Sequence, residues 1–254
     1  MALASLQALL QTVRLQLEVT ANGGVIVWEG RRYPVVDLCL DGLDPSAERA
    51  ELLSVAAAFE AAVKYPGRLA PGEDLRTGAA ALLPKVERQR FVRAYDAVIA
   101  GREGELGDLA VHGLFANDLG GGLVTAYVQD EGWKFNYIPR GRVAGWDASP
   151  GTVHAVGRSN LYHRAAIDHH AAEVAQGDGY DAARVIIVDE VFYDREGERG
   201  IEVAVPGRDL LLVAKGPLDR AAVQQAFALQ KYPISPLVFA LKAGRLEALV
   251  DLVG

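Results

Sequence analysis

Apolar residues recur at spacings of three and four along the opening stretch, at Leu3, Leu6, Leu10, Val13 and Leu17, which predicts an amphipathic helix over about Leu3 to Leu17. The pattern then changes. "VIVWEGRRYPVVDLCL" holds two β-rich runs on either side of Glu29-Gly30, a hairpin whose second strand Pro34 pushes toward an edge. Helical spacing returns in "LDPSAERAELLSVAAAFEAAVKYPG", with Asp44 as cap, Pro45 at the first helical position and a stop at Tyr65-Pro66-Gly67. Gly67 to Ala81 reads as a loop, and "LLPKVERQRFVRAYDAVIAG" as a third helix over about Pro84 to Ala100. The glycines and alternating charges of "GREGELGD" then break the pattern. This break divides the chain into an N-terminal helix, hairpin and helix domain, residues 1–103, and a C-terminal domain, residues 104–254.

Alternation dominates the second half. "LVTAYVQDEGWKFNYI" is a hairpin turning near Asp130-Glu131-Gly132, and Ser149 caps a helix that starts at Pro150. "ARVIIVDEVFYDREGERGIEVAVPGRDLLLVAKG" gives three strands in a row, separated by "DREGERG" and the tight "PGRD". "LDRAAVQQAFALQK" is a helix capped at Asp219, and "ISPLVFALKAG" a short helix capped at Ser235 and ended by Gly244. Residues 245–254 take no element from the pattern. The fold class is α+β: a mainly antiparallel sheet, with about five strands in the C-terminal half and helices packed on one face, preceded by the smaller N-terminal part.

Composition narrows the partners. A chain of 254 residues buries roughly 70–75% of its unfolded surface and needs no staples. Half the residues are apolar, an excess that points to a buried face between copies and hence a homodimer, or to a surface for another protein. A net charge of −7 argues against nucleic acid, whose phosphates are bound by clustered Lys and Arg. The single cysteine, Cys39, excludes an intramolecular disulfide and fits a cytoplasmic protein. No apolar run reaches the ~18 residues of a membrane span, and the start of the chain lacks the basic residues of a signal peptide.

A family resemblance lies in the second half. A tyrosine-containing hairpin, Trp146, Asn160-Leu161, "DGYDAARVI", "VAVPGRDLLLVA" and "YPIS" at Tyr232 to Ser235 follow one another. In this order they resemble the YtpQ-like family of bacterial proteins, domain of unknown function fourteen-forty-four, over about Gly104 to Leu241. The most specific fragment is the run from Val205 to Leu211. The resemblance implies a bacterial, cytoplasmic protein and brings no reaction, cofactor or catalytic residue.

The candidate chemistry is sparse. Asp168-His169-His170 spells a metal-dependent phosphoesterase signature, but its alanine-rich surroundings read as helix. Successive helical side chains point about 100° apart, so the three cannot converge on one ion. His163 and His170 share a face but stand about 10 Å apart, too far for one metal. The pair able to chelate is His169 with Glu173, at i and i+4, with Asp178 or Asp181 as further ligands. Without them the stretch is a solvated helix face. Gly120-Gly121-Gly122 lacks the Gly-Lys-Ser/Thr of a phosphate loop, and Ser159 lacks the second glycine of a nucleophile elbow. Two Arg and Asp pairs sit among apolar strands: Arg208 with Asp209 at a tight turn, and Asp181 with Arg184 at the start of a strand. They lock the junctions or, with Arg158 and Asn160, form the anion-recognising wall of a ligand pocket. The function expected is therefore a non-enzymatic binding or protein-interaction module without a cofactor. The alternative is a metal-dependent, phosphoesterase-like hydrolase using His169 and Glu173.

Overall fold

The computed structural model describes residues 16–20, 23–28, 31–34, 48–64, 67, 72–102, 108–132, 135–164, 173–191 and 200–249. The elements in chain order are β1 (Gln16–Thr20), β2 (Gly23–Trp28), β3 (Arg31–Pro34), α1 (Glu48–Lys64), the single turn α2 (Leu75–Gly78) and a 3-10 turn Ala79–Ala81. Next come β4 (Leu82–Arg88), α3 (Gln89–Ala100), α4 (Leu109–His112), β5 (Ala116–Gly120), β6 (Leu123–Asp130), β7 (Phe135–Tyr137), α5 (Arg140–Gly145) and α6 (Pro150–Arg164). The chain then forms β8 (Glu173–Val174), a 3-10 segment Ala182–Ile187, α7 (Val188–Val191), β9 (Ile201–Gly207), β10 (Leu210–Lys215), α8 (Arg220–Leu229), β11 (Val238–Lys242) and β12 (Arg245–Ala248).

Every strand pairing among the described residues is antiparallel, and the fold is α+β. One sheet is β1-β2-β3, a second runs β12-β11-β9-β10-β8, and in the third β6 lies between β4 and the pair β5 and β7. In the first sheet Trp28 stands opposite Arg31. The opening helix does not reach Leu17, which belongs to β1, and residues 3–15 lie outside the described residues.

Several corrections share one cause, an apolar run whose length hid its period. "LLPKVER" is β4 rather than the start of a helix: it pairs with β6 from Leu82 opposite Gln129 to Arg88 opposite Leu123. Pro34 and Pro84 both sit on edge strands, where a missing N–H removes no bond from a second neighbour. "AARVII" is a 3-10 segment rather than a strand, and all six residues are buried, so no alternation marks its fold. "VFALKAGRLEA" is a hairpin rather than a helix, joined through Ala243 and Gly244 at φ of 47° and 73°. Both turn residues are left-handed, as a two-residue type I′ turn requires. The unassigned tail thus supplies β12.

The third sheet is covered on both faces, not on one. Leu83, Val128 and Tyr137 stand opposite one another in register and pack into the main core with Phe91 and Tyr95 of α3 and the 3-10 segment. Pro84 and Tyr127 point to the other side, where α5 and α6 pack Val143, Trp146 and Val153 against Leu82 and Phe115. Gly157 lets α6 come close, since a Cβ there would lie 3.0 Å from the Tyr127 ring. The division expected at 103/104 falls inside this sheet, because β4 precedes it and β5 to β7 follow it. The main core itself runs from Leu52 to Leu246, so the two halves share their apolar interior.

Two of the sequence-assigned caps are in place, whereas Asp44 lies outside the described residues and Ser235 precedes a strand rather than a helix. Ser149 Oγ accepts from Thr152 N at 3.1 Å, and Asp219 accepts from Ala221 N at 2.9 Å. A longer-range clamp joins α5 to the loop before α2. Arg142 grips the Glu73 carboxylate through two bonds of 2.7 Å, and Trp146 Nε1 donates to it at 3.0 Å. The Arg142 bond holds the Glu73 pKa below its ordinary value against the opposing pull of burial. Glu73→Gln is expected to cost about 1–2 kcal/mol at neutral pH. A depressed carboxyl pKa stabilises the fold above the unfolded value, and that stability is lost as pH falls through the folded one. Thermal melts at pH 7 and pH 3 check this: the gap between wild type and Glu73→Gln should narrow in acid.

Candidate functional site

The six ligand-wall residues chosen from the sequence do not converge. Asp181 and Arg184 are fully buried and bind each other, with Arg184 Nη1 donating to Asp181 Oδ1 at 2.6 Å. Arg184 Nη2 reaches Asp178 at 2.7 Å and Gln176 at 2.8 Å, and the Asp181 carboxylate accepts from the backbone N–H of Gln176 and Gly177. Burial raises the Asp178 pKa, but the Arg184 bonds outweigh it and hold the carboxyl below its ordinary value. This is a knot that closes the loop from 176 to 181 over the 3-10 segment. Asn160 donates to the carbonyls of Ala79 and Leu82 at 2.6 and 2.9 Å, fastening α6 to the start of β4. Arg158 pairs with Glu190 at 2.5 Å beside His154 and Tyr162.

Arg208 and Asp209 form the turn between β9 and β10, with side-chain charges 3.5 Å apart. The turn is fixed by its backbone: Arg208 N donates to Tyr232 O at 3.0 Å, and Arg208 O accepts from Ala182 N at 3.1 Å. Glu173 opens β8, whereas its proposed metal partner His169 lies outside the described residues. Among the described residues no three His, Cys, Asp or Glu side chains group to hold a metal ion.

Of these candidates only Arg208 reaches the cavity with the best-defined chemistry. That space, about 420 Å³, lies between α1, the end of β4, the start of α3, β7 and the segment Tyr232 to Ile234. Its walls carry Leu53, Val86, Phe91, Phe135, Tyr137 and Ile234 as an apolar body. The Arg208 guanidinium stands over the Tyr232 ring, 3.7 Å from its centre.

Polar groups that the sequence did not single out also line the site: Arg88, Glu87, Ser54 and Glu60. Arg88, 8% exposed, ends β4 and directly precedes α3. Its Nη1 donates to Glu51, which also holds Arg90 Nε at 2.9 Å, so one edge of the guanidinium is clamped. The other two nitrogens, Nε and Nη2, are buried without a hydrogen-bond partner among the described residues, as is Ser54 Oγ on the facing helix α1. Glu87 lines the same space, and its Oε1 accepts from Tyr137 OH at 2.8 Å. Burial pushes the Glu87 pKa above its ordinary value, and burial likewise lifts that of Tyr137. Lys85 shares the Glu87 face of β4 and donates to Gly179 O at 3.0 Å, with its Nζ 3.6 Å above the Phe135 ring. Burial lowers its pKa to about 8.

The signal for these residues was present but misplaced. On a helix, the charges of "KVERQR" spread over a solvated surface; on a strand, Lys85 and Glu87 fall on one face and Arg88 on the other. At the unpaired edge of β4 both faces border the cavity, so Glu87 and Arg88 enter it together. Among the described residues, no helix is long and apolar enough to cross a membrane. The chain matches no protein-family model, no curated protein and no solved structure.

Proposed function

We propose that this protein is a non-enzymatic binding module that holds a small molecule with an apolar body and an anionic group in the cavity between α1, β4 and β7. The observation that carries this reading is the buried guanidinium edge of Arg88, whose two N–H donors have no partner among the described residues. Leaving a buried charged donor unmade costs at least about 1–3 kcal/mol, and a carboxylate or phosphate oxygen meets that geometry with two parallel bonds. Ser54 Oγ adds a third donor, and Arg208 adds a second positive charge to the lining. The aromatic and aliphatic walls supply the surface that an apolar body would cover, in a space of the size that small ligands occupy. The YtpQ-like resemblance is compatible with this role, since it implies no reaction and its most specific fragment contributes Arg208.

Differential scanning fluorimetry of the purified chain against small carboxylates and phosphate monoesters tests the proposal. Arg88→Met is expected to abolish the thermal shift given by the best anion, at a loss of roughly tenfold to a hundredfold in affinity by calorimetry. An unchanged affinity in Arg88→Met, or no shift with any anion, overturns it.

A further inference from the structure

We infer that the ligand of this cavity also carries a protonated amine, making it a zwitterion of the amino-acid class with an apolar side group. The inference rests on the binding role proposed above and adds the second pole of the molecule. Arg88 and Glu87 are adjacent in the chain and opposite in sign, and both line the same cavity. The Arg88 edge asks for an oxygen anion. Glu87 asks for the reverse: it is a carboxyl group in a wall of Val86, Phe91, Phe135 and Tyr137, with Tyr137 OH donating to one of its oxygens.

The charged groups that face Glu87 are Lys85 on its own strand and Arg208 across the cavity. Lys85 is committed to the Gly179 carbonyl and the Phe135 ring. Among the described residues, no cation stands within 4 Å of the Glu87 carboxylate to form an ion pair. Enclosure therefore disfavours its ionised form, and its pKa rises. A ligand ammonium would supply the missing counter-charge and up to three donors. The carboxylate of the same ligand would meet Arg88 and Ser54. Both poles line the one cavity, whose roughly 420 Å³ leaves room for a side group of benzyl or isobutyl size.

Isothermal titration calorimetry of the full chain separates the charges. The probes are two matched sets: phenylalanine, 3-phenylpropanoate and 2-phenylethylamine, then leucine, 4-methylpentanoate and isopentylamine. The amino acid in at least one set is expected to bind tenfold or more tightly than its carboxylate analogue. Glu87→Gln, which keeps an oxygen for Tyr137, should erase that preference, and Arg88→Met should remove binding of both the amino acid and its carboxylate analogue. A carboxylate analogue that binds as tightly as its amino acid in the wild-type chain, yet still depends on Arg88, overturns the zwitterion and leaves the anion site standing. If neither carboxylates nor amino acids bind, the zwitterion falls, and the anion site falls with it only when phosphate monoesters also fail. Because the wild-type ranking alone decides the first comparison, a poorly folding variant does not block the test.

Discussion

Arg184→Met is expected to destabilise the protein by about 3–5 kcal/mol, seen as a large drop in urea midpoint with little change in slope. The guanidinium is fully buried and grips Asp181, Asp178 and Gln176 through four bonds between 2.6 and 3.0 Å. Methionine fills much of the volume but leaves the Asp181 carboxylate, also fully buried, without its counter-charge. Most of the cost is therefore an uncompensated buried anion rather than a lost contact. Removing that anion as well, in Asp181→Leu with Arg184→Met, should recover part of the loss. A double variant that is simply the sum of the two single ones would contradict the coupling. The same reasoning separates this knot from the cavity. In Arg184 both terminal nitrogens are bonded within the fold, whereas in Arg88 Nη1 alone is bonded among the described residues.

Gly120→Ala is expected to cost about 2–4 kcal/mol, clearly more than Gly122→Ala at about 1–2 kcal/mol. Both glycines are left-handed, at φ of 92° and 78°, so an L side chain is strained at either. They differ in what surrounds them. A Cβ on Gly120 would sit 2.3 Å from the Leu246 carbonyl oxygen, whereas nothing lies within 4 Å of one on Gly122. Gly120 marks the place where β5 of the third sheet meets β12 of the second, beside the Arg245 to Asp118 ion pair at 2.6 Å. Neither backbone can yield without moving its sheet. Equal urea midpoints for the two variants would show that backbone conformation alone sets the cost and that the contact between sheets is soft. The run "GGG" reads in the sequence as a flexible approach to a strand; its first residue is instead a close-packing point between sheets.

The candidate site was legible only in fragments. Arg208 stood out because a charged pair at a tight turn between two apolar strands is conspicuous, and it does line the cavity. Asp181 and Arg184 stood out for the same reason and turned out to satisfy each other. Arg158 and Asn160 are likewise occupied, by Glu190 and by backbone carbonyls. A polar residue in apolar company signals a buried interaction; whether the interaction is complete depends on neighbours that sequence spacing does not supply. Arg88 shows the difference, since its unpartnered edge becomes visible only once Glu51, more than one element away, has taken the other.

What the sequence by itself determined is what depends on a few neighbouring residues. It established the α+β class, the helix α1 and its end near Tyr65, the capping of α6 by Ser149 and of α8 by Asp219, and the turns of the β6 to β7 and β9 to β10 hairpins. Caps and tight turns are satisfied within three or four residues, so their chemistry is written locally. The tertiary structure decided the rest. It made "LLPKVER" an edge strand, "AARVII" a buried 3-10 segment and "VFALKAGRLEA" a hairpin. It also joined the two expected domains through a single sheet. In the first two of those stretches apolar residues are covered on more than one side, so neither the helical nor the strand period shows. Long-range packing then chooses between conformations that local propensity leaves nearly balanced.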